Sequence, residues 1–319
     1  MKNMSIRYNG FTLIELLVAM AISGIVAAAI FTVFKSQQDS YIVQEDVAAM
    51  QQNLRAGMSM LSRDVRMAGF GFSSGQVSWY DNTGASPVTG YIKGVSVSNN
   101  NPDQIDIIYA DASVHATITH QMPNSSAVLD VDSTNGFSVG DLVIITDGNN
   151  ASLLEITQVQ SVALKLQHNP GAGNINPPGG HSIFPSGGYV SGSDVYRARY
   201  VSYRINTNDP LHPTLAVNFQ GPNGAGGYQP LANNIEDMEL VYIFDDGGES
   251  TAYDDTDADL TNDYDDIRAI RITLLARADR PDRNFRGNRP QIEDHAAGGI
   301  DGYRRRMLCS TVKIRNMGL

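Results

Sequence analysis

Gly10-Phe11-Thr12-Leu13-Ile14-Glu15-Leu16-Leu17 opens a stretch that runs to Phe34 with Glu15 as its only charged residue. Ahead of it, residues 1–10 (MKNMSIRYNG) are polar and carry Lys2 and Arg7 but no acid. As a helix, residues 11–34 would be about 36 Å long, enough to cross a bilayer. The cationic leader then stays on the cytoplasmic side and the rest of the chain faces outward. Three readings compete. The first is an uncleaved single-pass anchor. The second is a secretory signal cut after Ala27-Ala28-Ala29. The third is a cut between Gly10 and Phe11, ahead of the apolar stretch. Glu15 separates them, because a carboxylate inside a membrane helix costs roughly 2.5–3.5 kcal/mol and so marks a function. Neither the anchor nor the secretory signal explains it.

The octapeptide resembles the processing motif of type IV prepilins and type II secretion pseudopilins. The resemblance implies that a prepilin peptidase cuts after Gly10 and that the new N-terminal Phe11 is methylated. The physical logic agrees. Cleavage creates an α-amine in the apolar layer, which is costly to bury alone. Glu15 of a neighbouring subunit can neutralise it. Such a buried pair adds little net stability but can fix register, since one stagger satisfies both charges.

The helical period continues beyond the apolar stretch. Val43, Val47, Met50, Leu54, Met58, Leu61 and Val65 fall at spacings of three and four, with Gln44, Glu45, Gln51, Gln52, Arg55 and Arg63 on the other face. No proline precedes Pro87, so one helix of roughly 80 Å is expected from Phe11 to about Arg66. Ala68-Gly69-Phe70-Gly71 ends it. Its outer half is expected to pack on the protein's own sheet. The inner half, through about Tyr41, stays free to bundle with other subunits, helped by Ala19, Ala21, Ser23, Gly24 and Ala27 to Ala29.

The 319-residue chain is 42% apolar and 18% charged, with 30 Gly and 14 Tyr, which suits a β-rich, loop-rich body. Strand-like runs fall at 91–97, 104–110, 114–119, 142–146, 153–159, 162–167, 194–205, 214–219, 238–244, 267–276 and 307–314, separated by Gly/Asn/Pro-rich loops. The block 127–167 reads as a small inserted β-module. The expected fold is therefore α+β. A leader (1–10) precedes an N-terminal helix (11–70; 11–34 transmembrane, 35–70 amphipathic). That helix packs on a β-rich domain (71–319) with the module inserted. Cys309 is the only cysteine, which excludes an intramolecular disulfide and any cysteine-based zinc cage. The net charge of −11 argues against a nucleic-acid partner.

Further residues narrow the resemblance. They are Ser62-Arg63-Asp64-Val65-Arg66-Met67-Ala68-Gly69-Phe70, Ile235-Glu236-Asp237-Met238, residues 267–277, Val312-Lys313-Ile314-Arg315-Asn316 and the Gly140-Asp141 module. Together they are similar to the PilW minor pilins of type IV pili and, more distantly, to the J-type minor pseudopilins of type II secretion. The family's common disulfide-closed C-terminal loop cannot form with Cys309 alone. That and the size argue against a major pilin.

Residues 205–267 hold 14 acids and no Lys or Arg. Asp255, Asp257 and Asp259 alternate, and Asp263 and Asp266 follow near the spacing of a twelve-residue calcium loop. Leu260 stands where that turn wants Gly, and Asp266 replaces the usual bidentate Glu. Calcium binding and a solvated acidic loop both remain open here. Gly71-Phe72-Ser73-Ser74-Gly75 matches a nucleophile elbow in letters only, since a helix precedes it and a loop follows. Arg304-Arg305-Arg306 reads as a solvated edge or as a neighbour of the acidic loop. No catalytic constellation emerges, so no enzyme is expected.

The resulting expectation is a minor pilin that sits in the inner membrane before assembly and then in an extracellular pilus. It would prime assembly at the filament tip with other minor and major pilins. A type II secretion pseudopilin or a tip adhesin are the alternatives.

Overall fold

The computed structural model describes residues 11–72, 75–81, 88–123, 128–172, 175–178, 183–219, 221, 227–255 and 261–316. The leader, with Gly10, lies outside them. One α-helix, α1, runs from Leu13 to Met67. The chain divides into two compact units, 1–49 and 50–319.

In the second unit, the last turns of α1 bury Met50, Leu54, Met58, Leu61 and Val65, the outer members of the stripe read from the sequence. Gly57 lies on the same face. A Cβ there would stand 2.8 Å from Leu215 Cδ2 and 3.4 Å from Leu274 Cδ1, so the helix lies close to two different sheets at this point. Asn53 donates its side-chain amide to the Asn233 carbonyl at 2.9 Å.

Leu215 belongs to a nine-stranded sheet. Its axis is Asp194–Asn206. One edge of that strand pairs antiparallel with Gln104–Thr117 along nearly its whole length, with one bulge at Tyr196/Arg197. The other edge is divided. Residues 194–197 pair with Leu142–Thr146, and residues 202–206 pair with Thr214–Asn218. Gln229–Asn233 adds to Thr214–Asn218. On the far side, Ala151–Glu155 leads in parallel to Gln76–Asp81, which hairpins with Val88–Lys93. Leu274 belongs to a four-stranded antiparallel sheet in the order Glu249–Ser250, Ile235–Phe244, Ile267–Arg277, Arg305–Lys313.

Two glycines make the joint at the helix end possible. Gly71 has φ +93°, and a Cβ there would fall 2.3 Å from Ala110 Cβ. A Cβ on Gly94 would fall 2.7 Å from the Gly69 nitrogen, backbone against backbone. That close approach lets Gly69 N–H reach the Ile108 carbonyl (3.0 Å) and Ala110 N–H reach the Phe70 carbonyl (2.8 Å). Gly94 also splits the run 91–97, read as one strand from the sequence, between Val88–Lys93 and Val95–Ser98.

The block 127–167 is shared between two sheets. Val128–Asp130, Gln158–Gln160 and Lys165–Gln167 form a small sheet of their own, while the hairpin Leu142–Thr146/Ala151–Glu155 lies inside the large one. Alternation explains the division. Val143 and Ile145 face a core with Leu129, Phe137, Leu154, Leu166 and Tyr189, whereas Ile144 and Leu153 face another with Phe72, Val77 and Ile108. A strand covered on both faces reads as a continuous apolar run, so its place in the main sheet is hidden in the letters.

Candidate functional site

The N-terminal unit is the first candidate. Phe11, Leu13, Ile14, Leu16, Leu17, Ile25, Phe31 and Phe34 are all exposed, and the apolar window of α1 has no buried residue. A helix that is apolar all round needs lipid or partner helices. Around Gly24 nothing lies within 4 Å of where a Cβ would stand, leaving room for a close helix neighbour.

Glu15 has local partners that the sequence reading did not anticipate. Its Oε2 accepts the Thr12 backbone N–H at 2.9 Å and the Thr12 hydroxyl at 2.9 Å, and Glu15 N–H donates to Thr12 Oγ1 at 3.3 Å. Thr12 precedes the first helical residue, so Thr12-x-x-Glu15 is a reciprocal capping box. The signal was present in the octapeptide as Ser/Thr-x-x-Glu spacing. The same carboxylate thus starts its own helix two residues beyond the expected mature end.

The acidic segment is the second candidate. Asp257 and Asp259 lie outside the described residues. Asp255 is close to Lys93 Nζ at 2.9 Å and accepts Tyr264 N–H at 2.8 Å. Burial works against ionisation, but these two donors prevail and hold the Asp255 carboxyl below its ordinary range. Asp263 N–H donates to Asp266 Oδ2 at 3.3 Å, at the start of the short 3-10 turn Tyr264–Asp266. Tyr264 is 1% exposed and accepts the Val95 N–H at 3.0 Å on its hydroxyl, while Lys93 Nζ lies 4.4 Å from its ring. The described acids of this loop are thus tied to the body at Asp255 and Tyr264.

The triple arginine lies beside acids other than that loop. Arg304 bonds Asp282 at 2.8 Å, and Arg305 bonds both Glu236 (2.5 Å) and Asp301 (2.6 Å). Cys309 is free and exposed.

Asp64, quoted above only as part of the segment similar to PilW, is a buried acid tied to the body. Its side chain is fully buried near the end of α1. Tyr203 Oη donates to Oδ2 at 2.5 Å, and Tyr109 Oη and Arg63 Nε donate to Oδ1 at 3.2 and 3.1 Å. Burial and the carboxylate push the Tyr203 and Tyr109 hydroxyls up, Tyr109 to about 12, so both stay protonated donors. The available signal was Leu61-x-x-Asp64, a helical spacing that puts the acid on the buried face.

Two family models match parts of the chain. A family model described as type IV pilus-assembly protein W (PilW) matches residues 202–316. It covers the end of the Asp194–Asn206 strand and the whole four-stranded sheet. A prokaryotic N-terminal methylation motif matches residues 6–31. No curated protein matches the chain. A solved type IV-like pilin from Thermus thermophilus is similar at 10% identity over 84% of this chain and 98% of its own, with a TM-score of 0.38. The N-terminal apolar helix with its prepilin motif anchors the chain in the inner membrane and leaves the globular domain to the periplasm or the pilus. With an N-terminal methylation motif at one end and a PilW match over residues 202–316, the chain has the features of a type IV pilin-like minor pilin of PilW type.

Proposed function

We propose that this chain primes assembly of a type IV pilus and occupies the filament tip, after cleavage behind Gly10 and methylation of Phe11. The observation that carries the reading is the exposed helix of residues 13–34, apolar on every side and holding one carboxylate at its start. Such a helix leaves the bilayer only into a bundle of like helices. The register is set where Glu15 meets the α-amine of a neighbour. The role is structural: the chain supplies a bulky body and a docking helix. The PilW match favours a pilus over a secretion pseudopilin.

Copy number tests the tip position. Pili sheared from the native host and sorted by length are quantified by peptide mass spectrometry. A tip subunit gives a count per filament that is independent of length, and its deletion sharply reduces piliation. A count that grows in proportion to length would place the chain in the shaft and overturn the reading. Unchanged pili with a lost secreted product would assign it to secretion.

A further inference from the structure

A second cluster of ionisable groups lies under the C-terminal sheet, away from the acidic loop and independent of the pilus reading. Asp237 and Glu239 alternate along the strand Ile235–Phe244, so both point to one face, and both side chains are fully buried. His295 reaches them from the excursion between Ile267–Arg277 and Arg305–Lys313. A two-way backbone bridge with Ile292, at 2.8 and 3.0 Å, holds it there. His295 Nδ1 lies 3.1 Å from Asp237 Oδ1 and 3.2 Å from Glu239 Oε1, and the three residues each offer an atom within 4.8 Å of the others.

The remaining atoms say what is missing. Asp237 Oδ2 is held by the Arg289 guanidinium. Glu239 Oε2 is buried and has no hydrogen-bond partner. Beneath them, Asp103 is 1% exposed and accepts N–H groups from Leu240 (2.8 Å) and Asn100 (3.0 Å), while exposed Asp294 takes the Asn99 amide. Among the described residues, the Arg289 guanidinium and the His295 imidazole are the nitrogen groups beside Asp237 and Glu239, and a buried carboxylate oxygen left without a partner is costly. A cation between Glu239, Asp237 and His295 would satisfy that oxygen.

We propose that Asp237, Glu239 and His295 bind one divalent transition-metal ion of the zinc class. Two carboxylate oxygens and one imidazole nitrogen are a borderline donor set that zinc accepts at about 2.0–2.2 Å. Calcium takes six to eight oxygens and fits these donors poorly. Arg289 on the outer oxygen of Asp237 is the kind of support that orients a ligating carboxylate. His295 is 22% exposed, which gives the ion an entry path and a water for its remaining position. The bound ion would fasten the 278–304 excursion to the central strand of its sheet.

The test uses the full-length chain in detergent, stripped with chelator and then titrated with Zn2+. One Zn2+ per chain is expected. At a hundredfold excess over Kd it lowers the unfolding constant about a hundredfold, read as a raised Tm. Co2+ in its place gives visible ligand-field bands that Zn2+ abolishes. His295→Gln, at a partly exposed position, removes the bands and weakens Zn2+ at least about tenfold. The paired change Asp255→Asn/Asp263→Asn leaves both intact, which separates this site from the acidic loop. Should His295→Gln fail to fold, the wild-type Co2+ spectrum and its displacement by Zn2+ still decide. Absence of Zn2+ uptake and of any Tm change in the wild type would overturn the proposal and leave a proton shared among the three groups. Zn2+ uptake that survives His295→Gln in a folded chain overturns it equally.

Discussion

Glu15→Gln is expected to leave the chain processed, inserted in the membrane and folded, yet to cut its entry into filaments about a hundredfold. The substitution separates the two tasks of this side chain. A glutamine oxygen can still accept the Thr12 N–H and hydroxyl that Oε2 takes at 2.9 Å, so the helix start is preserved. What it cannot do is neutralise the α-ammonium that cleavage creates on a neighbour. A charge left unpaired in the apolar layer costs roughly 2.5–3.5 kcal/mol on insertion scales, about a hundredfold in the assembly equilibrium. Immunoblots of membrane and sheared-filament fractions make the comparison. Wild-type recovery of the glutamine variant in filaments would reduce Glu15 to a helix cap and remove the register mechanism.

Asp64→Ala is expected to destabilise the globular domain by about 3–4 kcal/mol. The loss has two parts. Charge-assisted hydrogen bonds disappear, and Tyr203, which is fully buried, keeps a hydroxyl with its partner gone. Because Tyr203 is on the central strand Asp194–Asn206, the change loosens α1 from the large sheet. For a domain of this size the Tm should fall by roughly 6–15 °C. In the Asp64→Ala/Tyr203→Phe double variant part of the loss is recovered, since the orphaned hydroxyl is gone. Melting of the detergent-solubilised chain reads both. A drop below about 1 kcal/mol for Asp64→Ala, or strict additivity in the cycle, would mean that the tyrosine–carboxylate contact does not hold the helix down.

The long helix was legible because its signals are local. The spacing from Val43 to Val65 and the Gly69 stop placed the end of α1 to within a residue or so of Met67. Long strands with one period, such as those around 194–205, 267–276 and 307–314, were legible for the same reason. The strand Gln76–Asp81 was not, since its buried residues, Val77 and Tyr80, stand three apart and give no period-two alternation. Gln229–Asn233 was missed because it contains Pro230 and lies at a sheet edge. Within the block 127–167, Leu142–Thr146 and Ala151–Glu155 pair with each other, but their outer partners, Asp194–Asn206 and Gln76–Asp81, lie outside the block, and no local pattern encodes a non-local partner. The candidate sites divide the same way. Phe11 and Glu15 belong to a contiguous motif and could be read directly. The Thr12 cap was written in the same eight residues and overlooked. Asp237, Glu239 and His295 are brought together across 58 residues by the sheet and its excursion, so only the fold shows them as one group.

The register role of Glu15 depends on Phe11 being the mature N-terminus. Mass spectrometry of the N-terminal peptide, from protein purified out of the native membrane or filament, tests this most directly. The expected peptide begins at Phe11, carries one methyl group on its amine and lacks residues 1–10. An intact Met1, or a start near Ile30, would contradict it, because no α-amine would then lie within reach of a neighbour's Glu15.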